Sequence, residues 1–393
     1  MAAAGTDAEL VARIRSLRPL IREHAPRTEE QRRVVPEVAA ALTDAGIHRM
    51  NVPRRYGGYQ SRLRTQVDAV AEIAAACGST AFKTVIQAGC SYIAALLPDE
   101  AQDEIFTRPD VKIGGTLVPD ATAVRADGGY VVNGTSGFAT GCHDADWHLL
   151  TVRVESESGD GPPEVLWTAV PMADLEILDD WYVSGLTGSG SNSVVARDVF
   201  VPAHRALPIG PLLAGRFPSK ASADDPFYRM PVLLMFCAWT APNALGLARS
   251  ALAEFTERSH RRGITYTFHT RQNEATVTHL QVAEAAMKIS CAELLTADFI
   301  SAIESRAESG EPHPPEERAG IRAQNGYVTR LCKEAVDLLG SASGASSLQL
   351  DVPIQRAVRD LHALSLHSFV NPATNLEIYG RVLSGVDPGT PFL

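Results

Sequence analysis

The six cysteines of this chain, Cys77, Cys90, Cys142, Cys237, Cys291 and Cys332, form no CxxC pair. This argues against a disulfide scaffold or a zinc ribbon and fits reduced thiols in a cytoplasm. No Lys/Arg-rich block is present and the formal net charge is −10, which argues against nucleic acid as a partner. The longest uninterrupted apolar run, Val232 to Trp239, is far too short for a membrane span. The first residues hold no basic segment leading into an apolar core, so no signal peptide is expected. There is no G-x-x-x-x-G-K-[ST], and Gly185, Gly188 and Gly190 lack the GxGxxG order of a dinucleotide turn. These absences lead us to expect a soluble intracellular protein without a nicotinamide or ATP site of its own.

The 393 residues, 45% hydrophobic and 21% charged, suit two or three domains or one large layered subunit. Leu10, Ile14, Leu17 and Ile21 mark a helix with one narrow apolar face, and Pro19 within it predicts a kink or an early end. Thr28-Glu-Glu-Gln31 reads as a capping box that starts a helix running to Ala45. Helices are expected over 62–76 and 79–97, the second low in charge and so buried. At Val111 the period becomes alternating. Short strands are predicted at 111–118, 121–125, 130–133, 147–154, 165–170 and 194–201, with Asp127-Gly128 as a hairpin turn. Residues 206–225 read as a linker, and helices follow over 242–262, 275–308, 314–339, 353–370 and 373–384. The expected organisation is an N-terminal α-helical domain (1–110), a central β-domain (111–205), and a linker with a C-terminal helical bundle (206–393). It is an α+β chain, mostly α, with a small antiparallel barrel or sandwich between two helical blocks.

Chemistry concentrates in a few places. Two Gly-rich loops lie at strand ends, Gly137 to Trp147 and Trp181 to Ser193, while Glu155 to Pro163 reads as a plain solvated loop. Cys142, His143, Asp144, Asp146 and His148 match no metal-ligand spacing, and no second ligand pair follows, so metal is the weaker reading. Arg258, Arg261, Arg262 and Arg271 cluster at a helix end, where cations are favourable in themselves; the alternative is a phosphate site. Arg356 to Pro372, read as a helix, sets Asp360, Leu364 and His367 on one face, with the imidazole in the last turn before a break at Pro372. His367 is then a satisfied structural histidine or a titratable group facing a cavity.

The order of parts resembles the acyl-CoA dehydrogenase fold across essentially the whole chain. Val52-Pro-Arg-Arg-Tyr-Gly-Gly, Ala76-Cys-Gly-Ser-Thr-Ala, Gly129-Tyr-Val-Val-Asn-Gly, Ser191 to Pro202 and the Arg359-Asp360 helix carry the likeness. Many such dehydrogenases place a glutamate base about eight residues after the Arg-Asp pair. Here that position is Ser368, a poor general base, beside His367. Phe138-Ala-Thr-Gly-Cys-His-Asp-Ala-Asp-Trp147 and Glu377-Ile-Tyr-Gly-Arg-Val-Leu383 are similar instead to the oxygenase components of two-component flavin monooxygenases. That group includes the 4-hydroxyphenylacetate 3-hydroxylases, the dibenzothiophene monooxygenases and the amino-sugar N-oxygenases.

The resemblance implies reduced FMN or FAD supplied by a separate NAD(P)H:flavin reductase, O2 as co-substrate, a C4a-hydroperoxyflavin, and a homotetramer. It implies Thr140 near flavin N5, Phe138 and Trp181 as pocket walls, His367 as proton acceptor or peroxide partner, and Asp360 on the same helix as a further catalytic residue. Phe138, Thr140, Gly141, Trp181, Ser189, Ser191, Arg258, Arg262 and Arg271 are the implied flavin contacts. Many relatives have an arginine where Thr187 stands and a histidine in the fourth helix, where Gln87 and Cys90 are the polar substitutes. Gln87, Cys90 and His367 are therefore the expected substrate contacts, for a neutral or bulky substrate. A flavin dehydrogenase or oxidase of the same fold, and a non-catalytic flavin-binding relative, are the alternatives.

Overall fold

A computed structural model describes residues 3–155 and 163–393. Most of the stretch expected to be a solvated loop, residues 156–162, lies outside the described residues. The N-terminal block holds α1 (Ala3–Ser16), α2 (Arg18–Glu30), α3 (Pro36–Asp44), α4 (Leu63–Ala74), α5 (Gly78–Ala94) and α6 (Asp99–Ile105). Leu10, Ile14 and Ile21 are fully buried, as their spacing predicts. The chain breaks at Leu17, because Pro19 in the first turn of α2 has no N–H to continue α1.

The capping-box expectation is corrected. Thr28 does not start a helix; it lies in the last turn of α2, and the next helix begins at Pro36. Its side chain is buried against Gly188, where a Cβ would stand 2.4 Å from the threonine methyl. Tertiary packing thus overrides the local signature.

The β block comprises β1 (Ile113–Gly115), β2 (Ala121–Ala126), β3 (Gly129–Ser136), β4 (Trp147–Val154), β5 (Glu164–Pro171), β6 (Glu176–Ile177), β7 (Val194–Pro202) and β8 (Ala206–Pro208). The sheet order is β6-β7-β3-β2-β4-β5-β8, with β1 attached to β4. Most pairs are antiparallel, while β4 runs parallel to both β1 and β2, so the sheet is mixed. Asp127-Gly128 makes the β2–β3 turn with Gly128 at φ +75°. Inward residues such as Val132, Leu150, Val152, Leu166 and Val201 form a core of their own.

The supposed linker begins with β8 and then α7 (Ile209–Leu213). Beyond it lie α8 (Val232–Ser259), α9 (Thr276–Ser309), α10 (Pro315–Ala342), α11 (Pro353–Ser365) and α12 (Pro372–Leu383). Helix α8 starts ten residues before the expected position, with Pro242 inside it. An interior proline costs about 3 kcal/mol. Continuous burial of Val232 to Ala248 outweighs that, at about 1.5–3 kcal/mol per large apolar side chain. On length and composition α8 would pass for a membrane span, yet 94% of its most apolar window is buried within the protein. It is the central core helix. It crosses α5 closely at Gly89, where a Cβ would meet the Trp239 ring at 2.9 Å. Helix α11 ends at Ser365 rather than near residue 370, which moves His367 out of the helix into the turn that follows.

Candidate active site

The two Gly-rich loops of the β block lie against each other. The Ala139 N–H donates to the Asn192 carbonyl at 3.0 Å, and the Gly141 N–H to the Ser189 carbonyl at 3.2 Å. The backbone here is held in unusual conformations: Phe138 and Leu186 have φ of 59° and 51°, and Gly141 and Gly190 are also left-handed. The pairing lines up three buried hydroxyls. Thr140 Oγ1 is 2.8 Å from Ser191 Oγ, which is 2.8 Å from Ser189 Oγ. Two internal bonds consume two of the three protons. The third has only the Phe138 carbonyl, at 3.5 Å, so the row can still donate to a ligand atom. Above it, the exposed Phe138 ring meets Trp181 edge-on at 5.8 Å, and the indole N–H donates to the Thr187 carbonyl at 3.0 Å.

Three other parts of the chain hold these loops. Asp360 Oδ1 accepts the Leu186 N–H at 2.7 Å, and Ser79 Oγ accepts the Gly188 N–H at 3.1 Å. From α5, Lys83 pairs with Asp144, while Gln87 Nε2 donates to Asp144 at 3.1 Å and to the Gly141 carbonyl at 3.5 Å. Gly141 has to be glycine: its φ is +74°, and a Cβ would strike Lys83 and Gln87. Burial works against the Asp144 charge, but Lys83 and Lys112 outweigh it and hold the carboxyl below its usual range. Burial pushes the Asp360 carboxyl up to about 6, and its Oδ2 has no partner. Asp360 is thus bonded to the loop, and because α11 ends at Ser365 His367 does not share a helix face with it as expected.

His367 lies in the turn between α11 and α12, with its N–H on the Leu364 carbonyl at 3.0 Å. Phe82 of α5 meets its ring edge-on at 5.9 Å, and Phe369 lies 6.2 Å away, stacked in turn on Phe236. This apolar setting lowers the imidazole pKa to about 4, so the ring is neutral at neutral pH. Nδ1 accepts the Phe369 N–H at 3.3 Å, which assigns the remaining proton to Nε2. Among the described residues Nε2 has no protein partner, so it is a donor available to a ligand. No carboxylate occurs in the turn, residues 366–371.

Other expected residues are elsewhere. Cys90 is buried against β1, where a Cβ on Gly115 would sit 2.6 Å from its sulfur; it does not face the loops. Arg258 and Arg262 line a separate cavity of about 450 Å³ with Arg261, Thr265 and Ser346, and Arg258 Nη1 is buried without a partner. Arg258 lies eleven residues beyond Leu247, the α8 residue in contact with Gly78, or roughly 16 Å along the axis. Arg271 pairs with Glu274 instead. The suspected metal cluster is dispersed: Cys142 contacts the Gly190 carbonyl, His143 bonds to Asn192, Asp144 holds Lys83, and Asp146 holds Arg108. Among the described residues, only Glu100, Glu104 and His204 group at metal-ligand distances, and Glu104 is already bonded to His204 and Arg205.

Sequence reasoning missed Lys83, Asp144, Ser79, Thr28 and Phe82 as parts of this assembly. The lone lysine in the otherwise uncharged α5 was the available signal.

Comparison with known proteins gives a consistent picture. A model of the acyl-CoA dehydrogenase N-terminal domain matches residues 13–108, and one of the C-terminal domain matches residues 238–372. The chain is 31% identical to the FADH(2)-dependent resorcinol hydroxylase, oxygenase component, of a Rhizobium species, over 96% of this chain and 95% of that one. It is 32% identical to the flavin-dependent monooxygenase oxygenase subunit HsaA of Mycobacterium tuberculosis, over 98% and 97%. Among solved structures, XiaF from a Streptomyces species in complex with FADH2 and glycerol superposes with a TM-score of 0.93 at 30% identity, over 100% of this chain and 98% of that one.

Proposed function

The chain belongs to the acyl-CoA dehydrogenase family, as the oxygenase component of a two-component flavin-dependent monooxygenase, and on that premise we propose that it hydroxylates an electron-rich aromatic small molecule in the cytoplasm, using FADH2 from a separate reductase. The observation that carries the reading is the His367 turn: a neutral imidazole with a free Nε2–H lies beside Ser368, the position where many dehydrogenases of this fold carry their carboxylate base.

The residues fit a flavin. The row Thr140–Ser191–Ser189 has a proton to spare for a ring nitrogen, Phe138 and Trp181 wall the cleft, and Gly141 lets the loop approach closely. When bound, the reduced flavin would supply the two electrons that activate O2, one atom of which goes to the substrate and the other to water. Thr140 would hold a proton at the flavin ring, Phe82 and Phe369 exclude water from His367, and its Nε2–H would be free to donate to an oxygen bound there. Gln87 Oε1, buried and unpartnered, is an acceptor for a substrate hydroxyl.

Arg258, in the last turn of α8, and Arg262, just beyond it, line a cavity separate from this cleft. In this reading they meet the phosphates of a flavin seated on a second copy of the chain, within a homotetramer. Two features support such an assembly: the orphaned Arg258 nitrogen, and an exposed apolar stripe on α9 formed by Val277, Leu280, Met287 and Leu294.

The test is a single turnover under 18O2 with protein, FADH2 and a panel of phenols. One labelled oxygen in a hydroxylated product is expected. Full conversion of O2 to H2O2 across the panel, together with reduction of bound FAD by an acyl-CoA, would overturn the reading.

A further inference from the structure

A second cavity, of about 500 Å³, opens between the start of α8, the loop after α7 and the turn joining α9 to α10. It shares no lining residue with the hydroxyl row, the His367 turn or the arginine cavity. Its size lies in the range that holds a small organic ligand.

Three polar groups on its wall lack hydrogen-bond partners. Tyr228 is 4% exposed, wedged between Tyr92 and Phe227, and its hydroxyl bonds to nothing. Burial pushes that phenol well above its ordinary pKa, so it remains an O–H donor. His313 is 8% exposed and neither ring nitrogen is hydrogen-bonded, although Nδ1 stands 3.5 Å from Glu317. Arg318 bonds the Leu393 main-chain oxygen through Nη2, while its Nε is buried and unpartnered. Each unmet buried group costs about 1–3 kcal/mol. His313 and Arg318 lie close enough to influence each other's charge and form a pair of donors awaiting an acceptor, while the Tyr228 hydroxyl lies towards Asp225 and Arg55.

The rest of the lining narrows the ligand. Arg216, Arg229, Arg306 and Arg318 face the cavity against one acid, Glu311, so the wall favours an anion. Arg306 is already paired with Glu311 and Glu317, which leaves the buried donors to make the contact. The remaining surface is apolar, including Leu96, Met230, Val232 and Leu233. A carboxylate is acceptor-only and can take several donors at once, and an apolar body would fill the rest.

We propose that this cavity is a binding site, separate from the catalytic cleft, for an organic monocarboxylate with an aromatic or aliphatic body, its carboxylate held by His313 and Arg318.

The test is calorimetric titration of the full-length protein with 1-naphthoate, and with 1-naphthamide as the uncharged control. One saturable site per chain is expected, with Kd of about 10–100 μM, and the amide should bind at least about tenfold more weakly. His313→Phe removes the imidazole donor and should weaken naphthoate about five- to tenfold. Leu213→Trp should fill the cavity and abolish binding. Parallel FAD titration, unchanged in both variants, shows that they are folded and separates this site from the proposed catalytic one. Any of three outcomes overturns the proposal: no saturable binding, amide binding as tight as the acid, or naphthoate binding indifferent to both substitutions.

Discussion

Asp360 and Leu186, 174 residues apart, are joined by a 2.7 Å hydrogen bond from the Leu186 N–H to Oδ1, and the other carboxylate oxygen is buried without a partner. The aspartate therefore serves the loop at a cost to itself. Its folded pKa, about 6, lies above the unfolded value near 4. The folded state holds the extra proton between these values, so this contribution is most favourable below pH 4 and is lost as pH rises through 6. Asp360→Asn keeps an acceptor and removes the charge. It should stabilise the protein by about 1–3 kcal/mol at pH 8 and by almost nothing at pH 4.5, read from urea midpoints. Asp360→Ala also removes the charge but strands the Leu186 N–H, so it should be less stable than the asparagine variant by about 1–3 kcal/mol at both pH values. Equal effects of the asparagine variant at the two pH values would contradict this account.

The buried histidines carry the opposite sign. His48 and His148 are pushed down to about 3 and His367 to about 4, in each case chiefly by burial. Below pH 6.5 the unfolded chain takes up three protons that the folded chain refuses, so their contribution is full above 6.5 and lost as pH falls. Asp360 offsets one of these protons between pH 4 and 6. Stability should therefore fall by about 3 kcal/mol per pH unit near pH 5 from these groups. Denaturant titrations between pH 7.5 and 4.5 measure the slope, and a flat profile would refute it.

Because His367 is neutral with its proton on Nε2, its donor role does not titrate at physiological pH. Product yield per O2 should be level from about pH 6 to 9. His367→Ala should lower that yield at least tenfold while changing the FAD affinity less than threefold. A yield that rises with a pKa near 6.5 would mean that the imidazole acts as a base exchanging with solvent.

Thr140→Ala should shift oxygen use towards H2O2, and Thr140→Ser should restore product, since only the hydroxyl enters the row with Ser191. The ratio of product to H2O2 is the readout. Thermal stability should change by about 1 kcal/mol at most in either variant.

Lys83 and Asp144 form a nearly buried ion pair under the Gly141 loop. Lys83→Met alone should cost about 3–5 kcal/mol by leaving Asp144 with less compensation, and adding Asp144→Asn should recover most of it. Measured FAD affinities should follow the same order. Additive losses in the double variant would show that the two residues act independently.

Much of the architecture could be read from the residues. Helix α5 has one charge in seventeen residues and is buried on nearly every face. The Asp127-Gly128 turn and the Asn371-Pro372 helix start follow from local geometry, the latter with Asn371 accepting from Ala373 and Thr374. What failed was governed by distant contacts. Thr28 looks like a cap but packs on Gly188. Pro242 looks like a helix start but sits inside a helix that burial sustains on both sides. His367 is placed by Phe82 and Phe369, and Lys83 finds Asp144 sixty-one residues away, pairings that no periodicity marks. The hydroxyl row was legible only as separate residues; its alignment depends on two loops meeting.

The loop from Gly185 to Gly190 touches α2 through Gly188, α5 through Ser79 and α11 through Asp360, at separations of more than a hundred residues for the last two bonds. Contacts that distant close late, since each requires large segments of chain to be in place first. The site should thus be the last region to mature in refolding, with flavin capture lagging behind the recovery of helical signal. A nascent chain still lacking its last forty residues would have most of its core but would hold that loop without the Asp360 bond.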